Sequence, residues 1–196
     1  MKKMNLMLLI MALMVINGCA ESSALIKASS TSMHTDVFQE LSNGGLVPPG
    51  LADLRIASSL KTHKPGIYSG KDVHGTPEYR LLINIDGQAV QLQGSLHEEN
   101  IEPRWLRDPE AGKGIRYGFG RDLRLKAGTH RVVIAIPSDD VAVERKITLA
   151  DGSDNSLKVE PIYRGTANSR RPGFYGQTSF SEGITGLRVT FNGEPL

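Results

Sequence analysis

Histidines are the first residues to consider for chemistry, because the imidazole nitrogen is a common ligand of zinc and copper. The chain has five of them, His34, His63, His74, His97 and His130. No two lie at the i, i+2 or i, i+4 spacing that brings a pair of imidazoles to one ion. The sequence therefore predicts no metal site and no cofactor, unless the fold assembles a site from distant residues. His130 is expected to serve a turn or to pack at the start of a strand.

Carboxylates, serines and glycines form no catalytic pattern. Glu98, Glu99 and Glu102 lie together in a polar segment, and a carboxylate pair can hydrolyse glycosidic bonds, although a solvated acidic loop is the simpler interpretation. The chain lacks the G-x-S-x-G elbow of serine hydrolases, and residues 112–120 lack the glycine spacing of a nucleotide-binding loop. Residues 151–156 lack the order of a calcium loop and are predicted to form a hairpin turn. The chain is therefore predicted not to be an enzyme.

Aromatic and arginine side chains, the types enriched at binding hot spots, collect in residues 97–121. Because this stretch is glycine-rich and is interpreted as a loop, and loops usually carry function, it contains the predicted binding patch. The patch consists of Trp105, Tyr117, Phe119, Arg104, Arg107 and Arg116. A second cluster holds Arg170, Arg171, Phe174 and Tyr175. The alternative is that the aromatic rings cap the open ends of the fold and that the arginines keep its surface soluble.

The first eighteen residues have the pattern of an export signal. A basic start precedes an uninterrupted apolar run over residues 6–16, and the only cysteine, Cys19, follows three residues after the run. The run is shorter than the roughly 20 residues that a membrane-spanning helix needs, and a polar tract follows it. The sequence therefore predicts a signal peptide over residues 1–18.

The residues that end this signal, Ile16-Asn17-Gly18-Cys19, resemble the lipobox of bacterial lipoproteins, in which an aliphatic residue and two small residues precede the modified cysteine. Asn17 is larger than the usual residue at its position. The resemblance implies that Cys19 carries a diacylglyceryl group and becomes the acylated first residue of the mature chain. It also implies a place in the bacterial cell envelope, held to the membrane by the N-terminal lipid anchor. Ala20, in place of aspartate, favours the outer membrane. The alternative is an ordinary secretory signal with an unmodified thiol.

Removing the signal changes the charge of the chain. The formal net charge of +2 comes from 23 basic and 21 acidic side chains, and the signal contains two of the lysines. The mature chain is therefore balanced, which argues against a nucleic-acid partner. It is long enough to bury one hydrophobic core without disulfides.

Alternating apolar residues dominate the chain after residue 46, which is typical of strands with one buried face. Clear runs are Leu81-Ile83-Ile85 and Leu187-Val189-Phe191, and the dipeptide Asp86-Gly87 predicts a two-residue hairpin turn. The sequence therefore predicts an all-β fold, a single antiparallel β-sandwich of the immunoglobulin or transthyretin type over residues 46–196. Residues 97–121 are expected to form a long loop insertion in it.

The segment between the signal and the sandwich, residues 19–45, is predicted to be the lipidated N-terminus and a flexible tether. It is polar and rich in small residues over residues 20–33. Residues 34–45 can form one short helix that ends at a glycine pair.

Residues 123–163 resemble the second half of PEGA-type modules and related immunoglobulin- or transthyretin-like sandwiches. The matching elements are Leu123 and Leu125, the turn Gly128-Thr129-His130, the apolar run 132–136, the strand 147–149, Gly152 and the strand 157–159. Residues 82–88 match the hairpin that opens such a module, whereas the insertion at 97–121 departs from it. The resemblance implies a non-catalytic envelope module.

These observations together predict a lipid-anchored bacterial envelope protein that acts as a non-catalytic binding or scaffolding module, with an envelope protein or a glycan as its partner. Two alternatives stay open. One is an envelope glycan-processing hydrolase that uses Glu98, Glu99 or Asp108 as part of a carboxylate pair. The other is a structural subunit of an envelope complex.

Overall fold

The computed structural model describes residues 17–42, 45–66, 70–104, 108–165 and 178–196. In these residues no helix is long and apolar enough to cross a membrane. Two short 3-10 turns cover Pro137–Asp139 and Phe180–Glu182. The helix and strands are α1 (Asn17–Ser29), β1 (Phe38–Glu40), β2 (Leu51–Thr62), β3 (Arg80–Ile85), β4 (Gln88–Gln93), β5 (Ser95–Ile101), β6 (Gly112–Lys126), β7 (Gly128–Ile136), β8 (Val141–Leu149), β9 (Asp154–Tyr163), β10 (Ile184–Phe191) and β11 (Glu194–Pro195).

The strands form two sheets that pack face to face, which confirms the predicted all-β sandwich. One sheet has the order β1-β6-β2-β9-β10-β11, and β5 pairs with the first half of β6 while β1 pairs with its second half. The other has the order β4-β3-β7-β8. One pair departs from the antiparallel prediction, because β2 and β9 run parallel.

The core lies between the two sheets and follows the alternation of apolar residues. Leu54 and Ile56 of β2 face Leu81, Ile83 and their neighbours from the second sheet, and all four are at most 1% exposed. At about 25 cal/mol per Å² of apolar surface, this burial is the main stabilising contribution to the fold.

The outer face of the four-stranded sheet is covered by α1, which packs on β7 and β8. Apolar residues on that face, such as Val133 and Ala135, are therefore fully buried although they lie outside the main core. The Asn84 side chain donates a hydrogen bond of 3.0 Å to the carbonyl of Ser29 at the end of the helix.

The N-terminal segment corrects two expectations. The predicted flexible tether contains α1, which packs on the four-stranded sheet with Leu25 and Ile26 half-buried. Residues 34–45 contain β1 where a short helix was expected, because β6 offers a free edge with which Phe38–Glu40 can pair. Phe38 is 5% exposed and belongs to the core, so the sandwich begins before residue 46.

The turns agree with the sequence only in part. Asp86 and Gly87 have φ of 46° and 90° and join β3 to β4, as predicted for a tight hairpin. Residues 151–153 form a turn and residues 154–156 begin β9, but the predicted hairpin is wrong, because β8 and β9 belong to different sheets. The stretch 97–121 is not a loop insertion, since most of it lies in the antiparallel pair of β5 and β6.

Candidate functional site

The structure disperses the predicted binding patch. Tyr117 and Phe119 are 0% and 3% exposed, and their stacked rings lie 5.7 Å apart in the core. Their assignment to an exposed binding surface is therefore wrong, because the alternation of β6 turns both rings inward. Arg104 is exposed and Arg116 is half-buried. The other residues of the patch and of the second aromatic cluster lie outside the described residues: Trp105, Arg107, Arg170, Arg171, Phe174 and Tyr175.

Arg116 belongs to a partly buried charge network formed by Lys61, Glu99, Glu110, Arg116 and Tyr163. Its guanidinium donates to Glu99 at 2.8 Å and to Glu110 at 2.7 Å. The ammonium of Lys61 is fully buried and donates to the backbone carbonyls of Glu110 and Gly112 at 2.8 and 2.7 Å. The Tyr163 hydroxyl donates to Glu110 and accepts the backbone N–H of Lys61. This network holds Glu110, which lies just before β6, against Lys61 of β2.

The carboxylates of the hydrolase alternative all have partners. Glu98 pairs with Lys64 on the surface, and Glu99 pairs with Arg116. Asp108 accepts the backbone N–H groups of Arg104 and Glu110, which shapes the turn that precedes β6. Their contacts are those of structural ion pairs and turn caps.

Glu110 is expected to make the protein less stable as the pH falls. Burial acts to raise the pKa of its carboxyl, but the hydrogen bonds from Arg116 and Tyr163 outweigh burial and hold the pKa below its ordinary value. As the pH falls through the acidic range, the Glu110 carboxyl therefore takes up a proton at a higher pH in the unfolded chain than in the folded one. The stabilisation is therefore fully present above the pKa that Glu110 has in the unfolded chain. It is lost as the pH falls through the lower pKa of the folded state. Urea unfolding between about pH 3 and 6 should show a weaker pH dependence for Glu110→Gln.

The matched control for this prediction is Glu182→Gln, because Glu182 is exposed and lies outside the network. Its unfolding should keep the pH dependence of the wild type. An equal slope for the wild type and Glu110→Gln would contradict the role assigned to this carboxyl.

A second polar constellation, which the sequence did not predict, brings together His63, Asp72 and His74, here called the His-Asp-His cluster. His63 follows the end of β2, and the other two residues lie in the connection to β3. The carboxylate of Asp72 bridges both rings, with its two oxygens 2.5 Å from Nε2 of His63 and 2.5 Å from Nδ1 of His74. The ring centroids are 4.7 Å apart.

Local backbone geometry holds the cluster together. The backbone N–H of His74 donates to Asp72 at 3.0 Å, which closes a tight turn between these two residues. Gly75 has φ of +75°, and a Cβ at this position would lie 2.8 Å from the carbonyl oxygen of His63. Only glycine allows this close approach, which brings the turn against the end of β2.

Asp139 supports the cluster from the opposite sheet. Its two carboxylate oxygens lie 3.3 Å from Nε2 of His74, and it accepts hydrogen bonds from the Tyr79 hydroxyl at 2.6 Å and the Ile184 backbone N–H at 3.2 Å. Burial acts to raise the pKa of Asp139, but the hydrogen bonds from His74 and Tyr79 lower it below its ordinary value. Burial and the neighbouring Asp139 carboxylate raise the pKa of Tyr79, so its hydroxyl keeps its proton and donates.

The electrostatics of the cluster favour a cation. Burial acts to raise the pKa of Asp72, but the hydrogen bonds from His63 and His74 hold it well below its ordinary value. Burial acts to lower the pKa of His74, and the two carboxylates around it outweigh that effect and raise it. Two carboxylates thus stay ionised beside two imidazoles, an arrangement that can hold a proton or a metal ion.

His130 offers an instructive contrast. Its Nδ1 lies 2.7 Å from Asp86, and its Nε2 donates to the carbonyl of Lys126 at 2.8 Å. This confirms the expectation that His130 serves a turn at the start of a strand. The described residues place no third ligand beside this pair.

No family model, curated protein or solved structure matches this chain. The chemistry of its own side chains is therefore what indicates a function. The one signal for the His-Asp-His cluster in the sequence is that Asp72 and His74 are two residues apart. His63 is eleven residues before His74 and joins the pair only through the fold.

Proposed function

We propose that the protein is a bacterial envelope lipoprotein, anchored through Cys19 in the outer membrane, whose β-sandwich acts as a non-catalytic binding or scaffolding module. The observation that carries this proposal is the lipobox-like sequence that ends in Cys19, which lies in the first turn of the helix that packs on the sandwich. An acylated cysteine supplies more than one acyl chain, which is what stable anchoring requires.

The contact between α1 and the sandwich supports a short connection to the membrane. The Ser23 hydroxyl donates to the carboxylate of Asp140, whose oxygens lie 2.7 and 2.8 Å from it. Cys19 precedes Ser23 by four residues, which corresponds to about 6 Å along a helix. A lipid on Cys19 therefore holds the Asp140 corner of the sandwich close to the bilayer surface.

A binding role is favoured over hydrolysis by the state of the carboxylates. Glu99 is paired with Arg116, Glu98 with Lys64, and Asp108 caps a turn. A glycosidase needs a carboxyl pair that exchanges protons with its substrate across a cleft. For a binding module we propose an envelope protein or a glycan as the partner, contacted by the arginine-rich connection between β5 and β6.

Cys19→Ala is expected to abolish acylation and to block lipoprotein-type removal of the signal, because the alanine side chain has no sulfur to form the thioether. Membrane fractionation should recover the variant as an unprocessed precursor that keeps its signal, and mass spectrometry should find the diacylglyceryl mass on the wild-type N-terminus only. The matched control is Ser23→Ala, which keeps the anchor and loses the bond to Asp140. A wild-type chain that begins elsewhere than Cys19, or carries no lipid, would overturn the proposal.

Density separation of the two membranes tests the location. The wild type is expected with the outer membrane, and Ala20→Asp is expected to shift it toward the inner membrane. Wild-type protein in the inner membrane would contradict this part of the proposal while leaving the anchor itself intact.

A further inference from the structure

We propose that the His-Asp-His cluster, His63, Asp72 and His74, is a binding site for a divalent first-row transition-metal ion of the Zn²⁺ type. The site lies within the sandwich and does not depend on the lipid anchor. It would add a metal-dependent property to a chain whose sequence predicts none.

The donor set is the first argument. Each residue offers one ligand atom, two imidazole nitrogens and one carboxylate oxygen, and these atoms all lie within 4.8 Å of one another. Nitrogen-rich sets of this kind suit zinc and its neighbours, whereas calcium and magnesium prefer oxygen ligands alone. Three protein ligands leave at least one coordination position for water or an external group.

The distances require only small side-chain movements. A tetrahedral zinc ion with bonds of about 2.0–2.1 Å holds its ligands roughly 3.3 Å apart. The two contacts of Asp72 are 2.5 Å, so each must open by less than about 1 Å while the two imidazoles approach each other. Two of the three ligands, Asp72 and His74, lie in a connection between strands, where such adjustments are easier than inside a ladder.

The surroundings of His74 match those of a metal-bound histidine. Ligating histidines commonly donate their second ring N–H to a carboxylate, which sets the tautomer and the ring orientation. Nε2 of His74 faces Asp139, which leaves Nδ1 directed at the other ligands. Asp139 is itself held by Tyr79 and by the backbone of Ile184, so this outer contact is built into the core.

The cluster is also accessible to an ion. It borders a surface cavity of about 350 Å³ whose lining includes His63, Asp72 and His74 together with Ser138 and Glu182. The side chains of the three ligands are 8%, 11% and 15% exposed, so they are shielded from bulk water without being sealed from it.

Titration of the full-length chain with ZnCl₂ tests the proposal. The protein is purified in detergent without a polyhistidine tag, stripped with EDTA and dialysed, and binding is followed by calorimetry and by metal analysis after gel filtration. One equivalent of Zn²⁺ is expected to bind per chain. His63→Gln and His74→Gln are each expected to weaken binding at least tenfold, and Asp139→Asn by about 10- to 100-fold.

His130→Gln is the matched control, because it removes a buried histidine that is also paired with a carboxylate but has no third ligand beside it in the described residues. Its affinity for Zn²⁺ should equal that of the wild type. Absence of saturable binding to the wild type, or equal binding to the His63→Gln/His74→Gln double variant, would overturn the site.

A measurement that needs no substitution at the three ligands covers the case in which a ligand variant does not fold. A metal that binds the folded state raises the Tm with concentration. Zn²⁺ is expected to raise the Tm of the wild type and of His130→Gln, and Co²⁺ is expected to give visible absorption bands of a nitrogen- and oxygen-ligated site. No Tm shift and no such bands at saturating metal would contradict the proposal.

Discussion

Replacing Tyr117 by alanine is expected to lower the free energy of unfolding by about 3–5 kcal/mol, the range for removing a large aromatic side chain from a packed core. The ring is fully buried, with the Tyr79 ring 5.0 Å and the Phe119 ring 5.7 Å away. Alanine would leave a cavity at the point where the two sheets meet, and the neighbouring rings can collapse into it only in part. Urea unfolding of the full-length chain measures the loss.

Tyr117→Phe separates the ring from the hydroxyl. It removes only the hydrogen bond to the carbonyl of Thr76, which is 2.7 Å long, and is expected to cost about 1 kcal/mol. If Tyr117→Ala kept the stability of the wild type and lost only partner binding, the ring would belong to an exposed patch after all.

Lys61→Met is expected to lower the free energy of unfolding by roughly 3 kcal/mol, although methionine fills most of the same volume. The ammonium is 0% exposed and donates to the carbonyls of Glu110 and Gly112. Both carbonyls are partly buried and would lose this donor, and a buried acceptor left without a partner costs about 1–3 kcal/mol. Glu99 would keep Arg116 as a partner, which limits the effect.

Lys64→Met is the matched control for Lys61→Met, three residues away on the same chain. Lys64 is partly exposed and pairs with the exposed Glu98, so its loss should cost less than about 1 kcal/mol. Equal losses for the two variants would contradict the distinction between a partly buried network and a surface pair.

The two proposals meet at one corner of the sandwich. Asp139 supports the His-Asp-His cluster, and the next residue, Asp140, accepts the hydrogen bond from Ser23 of α1. A chain that is anchored at Cys19 would therefore hold its metal site at the membrane-proximal end of the domain. Metal analysis of the wild type and fractionation of Cys19→Ala test the two proposals separately, so either can fail alone.

The strands themselves could be predicted from the sequence. Alternation reports which face of a strand is buried, and this property is local, so Leu81, Ile83 and Ile85 were assigned to the core correctly. The same holds for Asp86-Gly87, because the positive φ of a tight turn favours these residue types. The all-β class and the sandwich follow from such local signals.

The partners of each strand could not be predicted in this way, because a period of two is the same whichever strand lies alongside. The sequence contains no local signal that β9 runs parallel to β2, or that Phe38–Glu40 pairs with β6. Tyr117 and Phe119 were misplaced for the same reason. A segment that mixes aromatic residues with glycines has the composition of a loop, and only its pairing with neighbouring strands shows that it is a strand with buried rings.

The candidate sites show the same division. Cys19 is read from residues that are contiguous in the chain, because the lipobox is a linear signal, and no fold is needed to propose it. His63, Asp72 and His74 become one cluster only when the end of β2 and the connection to β3 pack together, with Asp139 reaching them from the other sheet. Composition and local period determined the signal, the strand faces and the all-β class, whereas long-range packing decided which polar side chains converge.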